Sequence, residues 1–141
     1  MGSFSDTPAL IAGGTIRPYR FVVASTSADN TGEEAVNGTT AIVGVSDGST
    51  RRFDSANHAE VVGGVGDPIT LQGGDVVLVQ CHTATVPTRG ALVQSHTDGT
   101  ARAADTGAGP ARRFQGYVAL EDGASGRIIR IQKVAGFNYY A

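Results

Sequence analysis

What most restricts the folds open to this chain is its punctuation: short apolar runs, each cut off by glycine and an acidic turn residue. Two phrases show it best, Gly44-Val45-Ser46-Asp47-Gly48 and Gly116-Tyr117-Val118-Ala119-Leu120-Glu121-Asp122-Gly123. Asp-Gly favours a tight turn, because the carboxylate bonds to the nearby backbone and glycine accepts positive φ. Runs cut this short suit brief strands, and no segment carries the 3.6-residue apolar period of a helix. Each phrase follows a polar stretch opened by threonine and an apolar residue, Thr15-Ile16 in one case and Thr85-Val86 in the other. Strand-like pieces close the two stretches, at 68–72 and 127–132. The segments 15–80 and 85–134 therefore read as two degenerate copies of one β-rich unit.

The 141 residues are the usual size of one domain and enough to bury a core without disulfides or metal. Only 17% of them are charged and 20 are glycine, a composition that suits short strands and tight loops. A formal charge of -2 gives no overall drive toward nucleic acid or an anionic membrane, and neither is expected as a partner. No apolar run approaches the roughly 20 residues of a membrane-spanning helix. No basic region followed by an apolar block opens the chain, so a soluble protein without a signal peptide is expected. The single cysteine, Cys81, excludes an intrachain disulfide.

Taken in order, residues 1–14 read as an extended N-terminal arm whose sizeable apolar groups are Phe4, Leu10 and Ile11. So few apolar side chains cannot offset the arm's ordering entropy unless it lies on something else. The single β domain spans 15–134. Strands are expected at 15–25 and 41–45, with a long polar loop over 26–40 between them. A second polar loop, 49–58, carries Arg51-Arg52-Phe53, and 59–63 is a weak strand. Residues 69–79 look like a hairpin, and Val76-Val77-Leu78-Val79 is an apolar run suited to burial on both faces. Further strands are expected at 91–94, 101–104, 114–120 and 127–134, where Ile129 and Ile131 share one face. The tail 135–141 gathers Phe137, Tyr139 and Tyr140. The fold class is all-β, a compact antiparallel barrel or sandwich with long loops.

Chemistry-bearing residues are few. Cys81 and His82 are adjacent on a strand and point to opposite faces, so they do not act together as nucleophile and base. His58, His82 and His96 lack the close spacing of a zinc site, and no metal or other cofactor is expected. Asp47, Glu121 and Asp122 stand at turns, where acidic residues before glycine serve local hydrogen bonding. No catalytic residue is assigned and no enzymatic activity is expected. Arg51-Arg52-Phe53 and Arg112-Arg113-Phe114 repeat one tripeptide. A solvated face and a contact to an acidic protein surface are both open to it. The terminal aromatics either fold back on their own core or dock on a neighbour.

The order Gly-Gly-x-Ile-x-Pro-Tyr-Arg-Phe-Val at 13–22, Gly-Val-Ser-Asp-Gly at 44–48 and Gly-Asp-Pro-Ile at 66–69 resembles small decoration, or cement, proteins of tailed-bacteriophage heads. Thr-Arg-Gly-Ala-Leu-Val at 88–93, Asp-Gly-Thr-Ala-Arg-Ala-Ala at 98–104, Gly-Tyr-Val-Ala-Leu-Glu-Asp-Gly at 116–123 and Gly-Arg-Ile-Ile-Arg-Ile at 126–131 continue the resemblance. It implies a β-rich structural virion protein on the outer capsid surface, made in the host cytoplasm. Such a protein bridges and stabilises major capsid protein subunits, sits there as a homotrimer and catalyses nothing. The expected capsid or subunit contacts are Phe4, Leu10, Ile11, Arg51, Arg52, Phe137, Tyr139 and Tyr140. Deleting 1–14 should then weaken shell binding and leave the fold intact. The alternatives are another virion part, such as a head fibre or tail component, and a module binding carbohydrate or a host surface.

Overall fold

The computed structural model of the chain describes residues 10–36, 42–47, 52–54, 59–61, 65–104 and 116–134, with 52–54 and 59–61 as backbone only. No helix occurs among the described residues. The strands are β1 (Leu10–Ala12), β2 (Phe21–Ala24), β3 (Thr31–Glu34), β4 (Ile42–Val45), β5 (Arg52–Asp54), β6 (Ala59–Val61), β7 (Pro68–Ile69), β8 (Val76–Gln80), β9 (Leu92–Ser95), β10 (Ala101–Ala103), β11 (Tyr117–Ala119) and β12 (Ile128–Lys133). One sheet runs β4-β2-β3-β1-β7, the other β10-β9-β11-β12-β8, and β5 pairs with β6 apart from both. All pairings within the two large sheets are antiparallel except β1 with β3.

The two sheets form a sandwich, not a closed barrel. Phe21, Val23, Ala35 and Val45 from the first sheet and its flank share one buried cluster with Val77, Val79, Cys81, Val93, Tyr117, Ile129 and Ile131 of the second. Period-two alternation puts them there: in β12 Ile129 and Ile131 are buried and their neighbours face outward. Each large apolar side chain so buried contributes about 1.5–3 kcal/mol. β2 is apolar on both faces. Val22 turns away from the shared core into a second cluster with Ala12, Ile16 and Ile69, against which Leu10 and Leu71 pack.

Both sheets curl until their far edges nearly meet. In the first, Ser46 bridges Leu71, the Asp47 N–H donates to the Thr70 carbonyl (2.9 Å) and the Gln72 N–H to that of Val45 (2.9 Å). In the second, Cys81 bridges Ala101 and the His82 N–H donates to the Ala101 carbonyl (3.0 Å).

Apart from the expected strand 15–25 beginning only at Phe21, after a turn, four features differ from the sequence expectation. The supposed loop 26–40 contains β3, a strand of polar composition. It is held by ladders to β2 on one side and β1 on the other. Gly32 lets the strands close, since a Cβ there would lie 2.9 Å from Val22 Cγ1 and 3.1 Å from Ile69 Cδ1. Next, 69–79 is no hairpin: β7 stays in the first sheet and β8 joins the second. The outer edge of β8 is held instead by the Gln80 N–H, which donates to the Tyr19 carbonyl (2.9 Å), and by one side chain. Gln72 Oε1 accepts from the Leu78 N–H (2.8 Å) and its Nε2 donates to the Leu78 carbonyl (2.7 Å). Nor is Val76–Val79 buried on both faces, because Val77 and Val79 are buried while Val76 and Leu78 are exposed. Lastly, residues 10–12 of the supposed arm are β1, lying between β3 and β7. Removing 1–14 would take out an internal strand, so the expectation of an intact fold does not stand.

Candidate functional site

Polar side chains gather where the turn before β2, the end of β8 and the tip of the β9–β10 hairpin meet. The turn is sharp, with Tyr19 at φ 59, and Arg17 and Arg20 both donate to the Asp98 carbonyl. Arg17 donates through Nε to both Glu34 carboxylate oxygens (3.1 Å each), and its Nη2 pairs with Glu34 as well. The hydrogen bond to Glu34 raises the Arg17 pKa. Arg20 is 9% exposed. Its Nη1 donates to the Asp98 carbonyl (2.8 Å), its Nη2 to Gln80 Oε1 (3.4 Å), and its Nε has no partner. Burial lowers its pKa.

The hairpin tip is built to receive these donors. Gly99 has φ 77, its carbonyl accepts from the Phe21 N–H (2.9 Å), and the His96 N–H donates to the Thr100 carbonyl (2.8 Å). Asp98 Oδ1 accepts from the Thr100 N–H (3.2 Å) and hydroxyl. Burial works to raise the Asp98 pKa, but the Thr100 hydrogen bonds and the nearby Arg20 charge outweigh it and the net shift is downward.

At the rim of this cluster His82 and His96 stack, with ring centroids 3.6 Å apart and planes 18° from parallel. His82 Nδ1 accepts from the Ala84 N–H (3.1 Å) and the Thr85 N–H (3.2 Å). His96 Nδ1 lies 3.0 Å from Thr97 Oγ1. Desolvation lowers the His96 pKa, and charge on His82 lowers it further.

His82, His96 and Asp98 are the one trio of potential metal ligands among the described residues, with ligand atoms within 4.8 Å of one another. The arrangement does not suit an ion as it stands. Imidazole binds a metal in its own ring plane, and two nearly parallel rings share no point there. His82 accepts hydrogen bonds at Nδ1, which puts its proton on Nε2. Arg20 Nη1, 3.8 Å from Asp98 Oδ2, adds a competing positive charge. The cluster works as a strut that ties the first sheet to the hairpin of the second.

The other candidates fall elsewhere. Cys81 is buried and its pKa is raised by that burial, while His82 is half-buried beside it. Glu121 accepts from the Arg127 side chain (3.1 Å) and from the Arg130 N–H (3.0 Å). Asp122 Oδ1 accepts from the Arg89 N–H (2.9 Å) and Oδ2 from its side chain (3.1 Å). Both acids therefore pin loops. Leu10 packs on the second cluster, and Ile11 is 44% exposed. Arg52 begins β5, opposite Val61. Phe4, Arg51, Phe137, Tyr139, Tyr140 and His58 lie outside the described residues. Sequence reasoning missed the His82–His96 pair, because only the curl of the second sheet brings 82 beside 96.

By architecture the chain is a two-sheet β sandwich, with Arg17, Arg20, Glu34 and Asp98 bonded to one another or to nearby backbone where the sheets meet. No protein-family model matches it, and no curated protein matches it. Among solved structures it is similar to the N base of the head fibre gp8.5 of bacteriophage phi29, with a TM-score of 0.59 and 17% identity over 91% of this chain and 96% of that one. At that identity the likeness is one of fold.

Proposed function

We propose that this chain is a structural component of a tailed-phage head, seated on the outside of the assembled capsid. The observation that carries the reading is the extent of the fold likeness, nearly the whole of both chains, to the base of a phage head fibre. The turn and strand phrases that resemble those of capsid decoration proteins support it. In this reading the chain acts by binding and catalyses nothing. As a cement protein it bridges neighbouring major capsid protein subunits as a homotrimer, and many copies per particle add by multivalency. Contacts fall to Phe4, Ile11, Arg51, Arg52, Phe137, Tyr139 and Tyr140, with Leu10 packing on its own core. The similarity to a fibre base favours a second reading, in which the domain is the foot by which a longer projection stands on the head.

The test is sedimentation of the purified protein with emptied mature heads and, separately, with free major capsid protein. Binding to heads alone is expected, and no binding to heads overturns the proposal. The melting temperature of the decorated shell separates the two readings. A rise supports bridging, and bound protein without a rise supports the fibre foot.

A further inference from the structure

We propose that the His82–His96 stack is an acid-sensitive clip, closed when both rings are neutral and opened when His82 takes up a proton. The reason lies in which nitrogen is free. His82 Nδ1 already accepts from two backbone N–H groups, those of Ala84 and Thr85. A neutral ring that accepts at Nδ1 carries its proton on Nε2. The second proton therefore has one place to go, Nδ1, and an Nδ1–H facing two N–H donors makes three donors with no acceptor. The ring must leave the turn to be protonated.

The stack passes that movement on. His82 follows Cys81 at the end of β8, and His96 begins the tip of the β9–β10 hairpin. The backbone on both sides is fixed, by the His82 N–H bond to Ala101 and the His96 N–H bond to Thr100. The turn 83–85 is exposed and the two rings are half-buried, so movement falls to them rather than to the bonded backbone. Charge on both rings at a 3.6 Å separation is repulsive, so double protonation drives them apart.

The groups facing the pair are all accounted for among the described residues. Asp98, on the hairpin tip, favours a proton on either ring, and Arg102 of β10 opposes one on His96. Arg20 faces Asp98 from the turn before β2 and draws on the same carboxylate. Arg17 and Glu34 lie behind it as a closed pair. One carboxylate shared with a buried guanidinium does not neutralise two imidazolium rings.

The test is nuclear magnetic resonance on the full chain between pH 7.5 and 5.0. Imidazole nitrogen shifts at pH 7.5 are expected to show His82 protonated at Nε2. A proton on Nδ1 there overturns the proposal. Hydrogen-exchange protection of the Ala84 and Thr85 amides is expected to fall at least about fivefold as the His82 ring titrates. The Gly123 amide, bonded to Pro87 (2.8 Å), serves as the unaffected control. Constant protection of the two amides through the His82 titration overturns the clip. His82→Phe keeps an aromatic face for His96 and removes the acceptor. Its Ala84 and Thr85 amides should be unprotected at every pH, and protection with the parent profile overturns the assignment.

Discussion

Gly99 carries two separate requirements. Its φ of 77 lies in the left-handed region, and a Cβ there would come within 2.9 Å of Glu34 Cγ and 3.2 Å of Arg20 Cβ. Gly74 has a similar φ of 88 but open space around it. Gly74→Ala should cost about 1–2 kcal/mol, from backbone strain alone. Gly99→Ala should cost more, because the arginine and glutamate of the strut must also shift. Urea midpoints of the two variants check this, and equal costs would mean that the hairpin tip relaxes freely. Arg20 is the complementary case. Arg20→Met keeps most of the buried stem and removes the donors to the Asp98 carbonyl and Gln80. A loss of about 1–3 kcal/mol is expected by chemical denaturation, the usual cost of stranding a charge-assisted bond.

At the scale of elements, the Gln72 side chain stands in for a strand along the free edge of β8. Gln72→Ala removes both bonds to Leu78 and should lower stability by about 1–2 kcal/mol. It also leaves the Leu78 N–H and carbonyl unpaired at the strand edge, so light scattering should show more concentration-dependent association than the parent does. For shell binding, β1 dictates where to cut. A truncation ending at residue 9 keeps the strand, and circular dichroism should report an unchanged fold. Extending the cut through residue 14 should unfold the first sheet by removing Leu10 and Ala12 from the buried cluster.

The elements that could be read from sequence were those whose burial writes itself into the residue pattern. Ile129 and Ile131 alternate with Arg130 and Gln132, and the turn at 97–100 announces the β9–β10 hairpin. Thr31-Gly32-Glu33-Glu34 carries no such pattern, because its place in the sheet comes from backbone ladders on both sides and a glycine gap under Val22. Likewise, Ile69-Thr70-Leu71-Gln72 shows that a strand exists but says nothing about its partner, which is why a crossing between sheets resembled a hairpin. The strut was least legible of all. Arg17, Glu34 and His82 are far in sequence from His96 and Asp98, which share the hairpin tip, and the fold brings the three groups together.

For the molecule as a whole, acid should act in two stages. His96 has a folded-state pKa below its ordinary value of about 6.5. The folded chain then binds fewer protons than the unfolded one, and the His96 contribution is complete above about pH 6.5 and is lost as pH falls through the lowered value. Asp98, also lowered, keeps its contribution above its ordinary carboxylate range and loses it at more acid pH. Urea midpoints measured from pH 8 to 3 should fall in two steps, and His96→Gln should reduce only the upper one. Light scattering bears on assembly. A stable trimer of a 14.4 kDa chain supports the cement reading, and a monomer in solution leaves either trimer formation on the shell or a different role.

The order of the sheets along the chain has a consequence in time. Every strand of the first large sheet lies before residue 72, and every strand of the second lies after 75. A ribosome therefore delivers the first sheet whole, with Val22, Ile16 and Ile69 already able to close their own cluster. The Phe21 and Val23 side waits uncovered. β8 is the first strand of the other sheet to emerge, and Gln72, only a few residues earlier, can hold it in register while its ladder partner β12 is still unmade. The nascent chain carries its own template for the half that has not yet been translated.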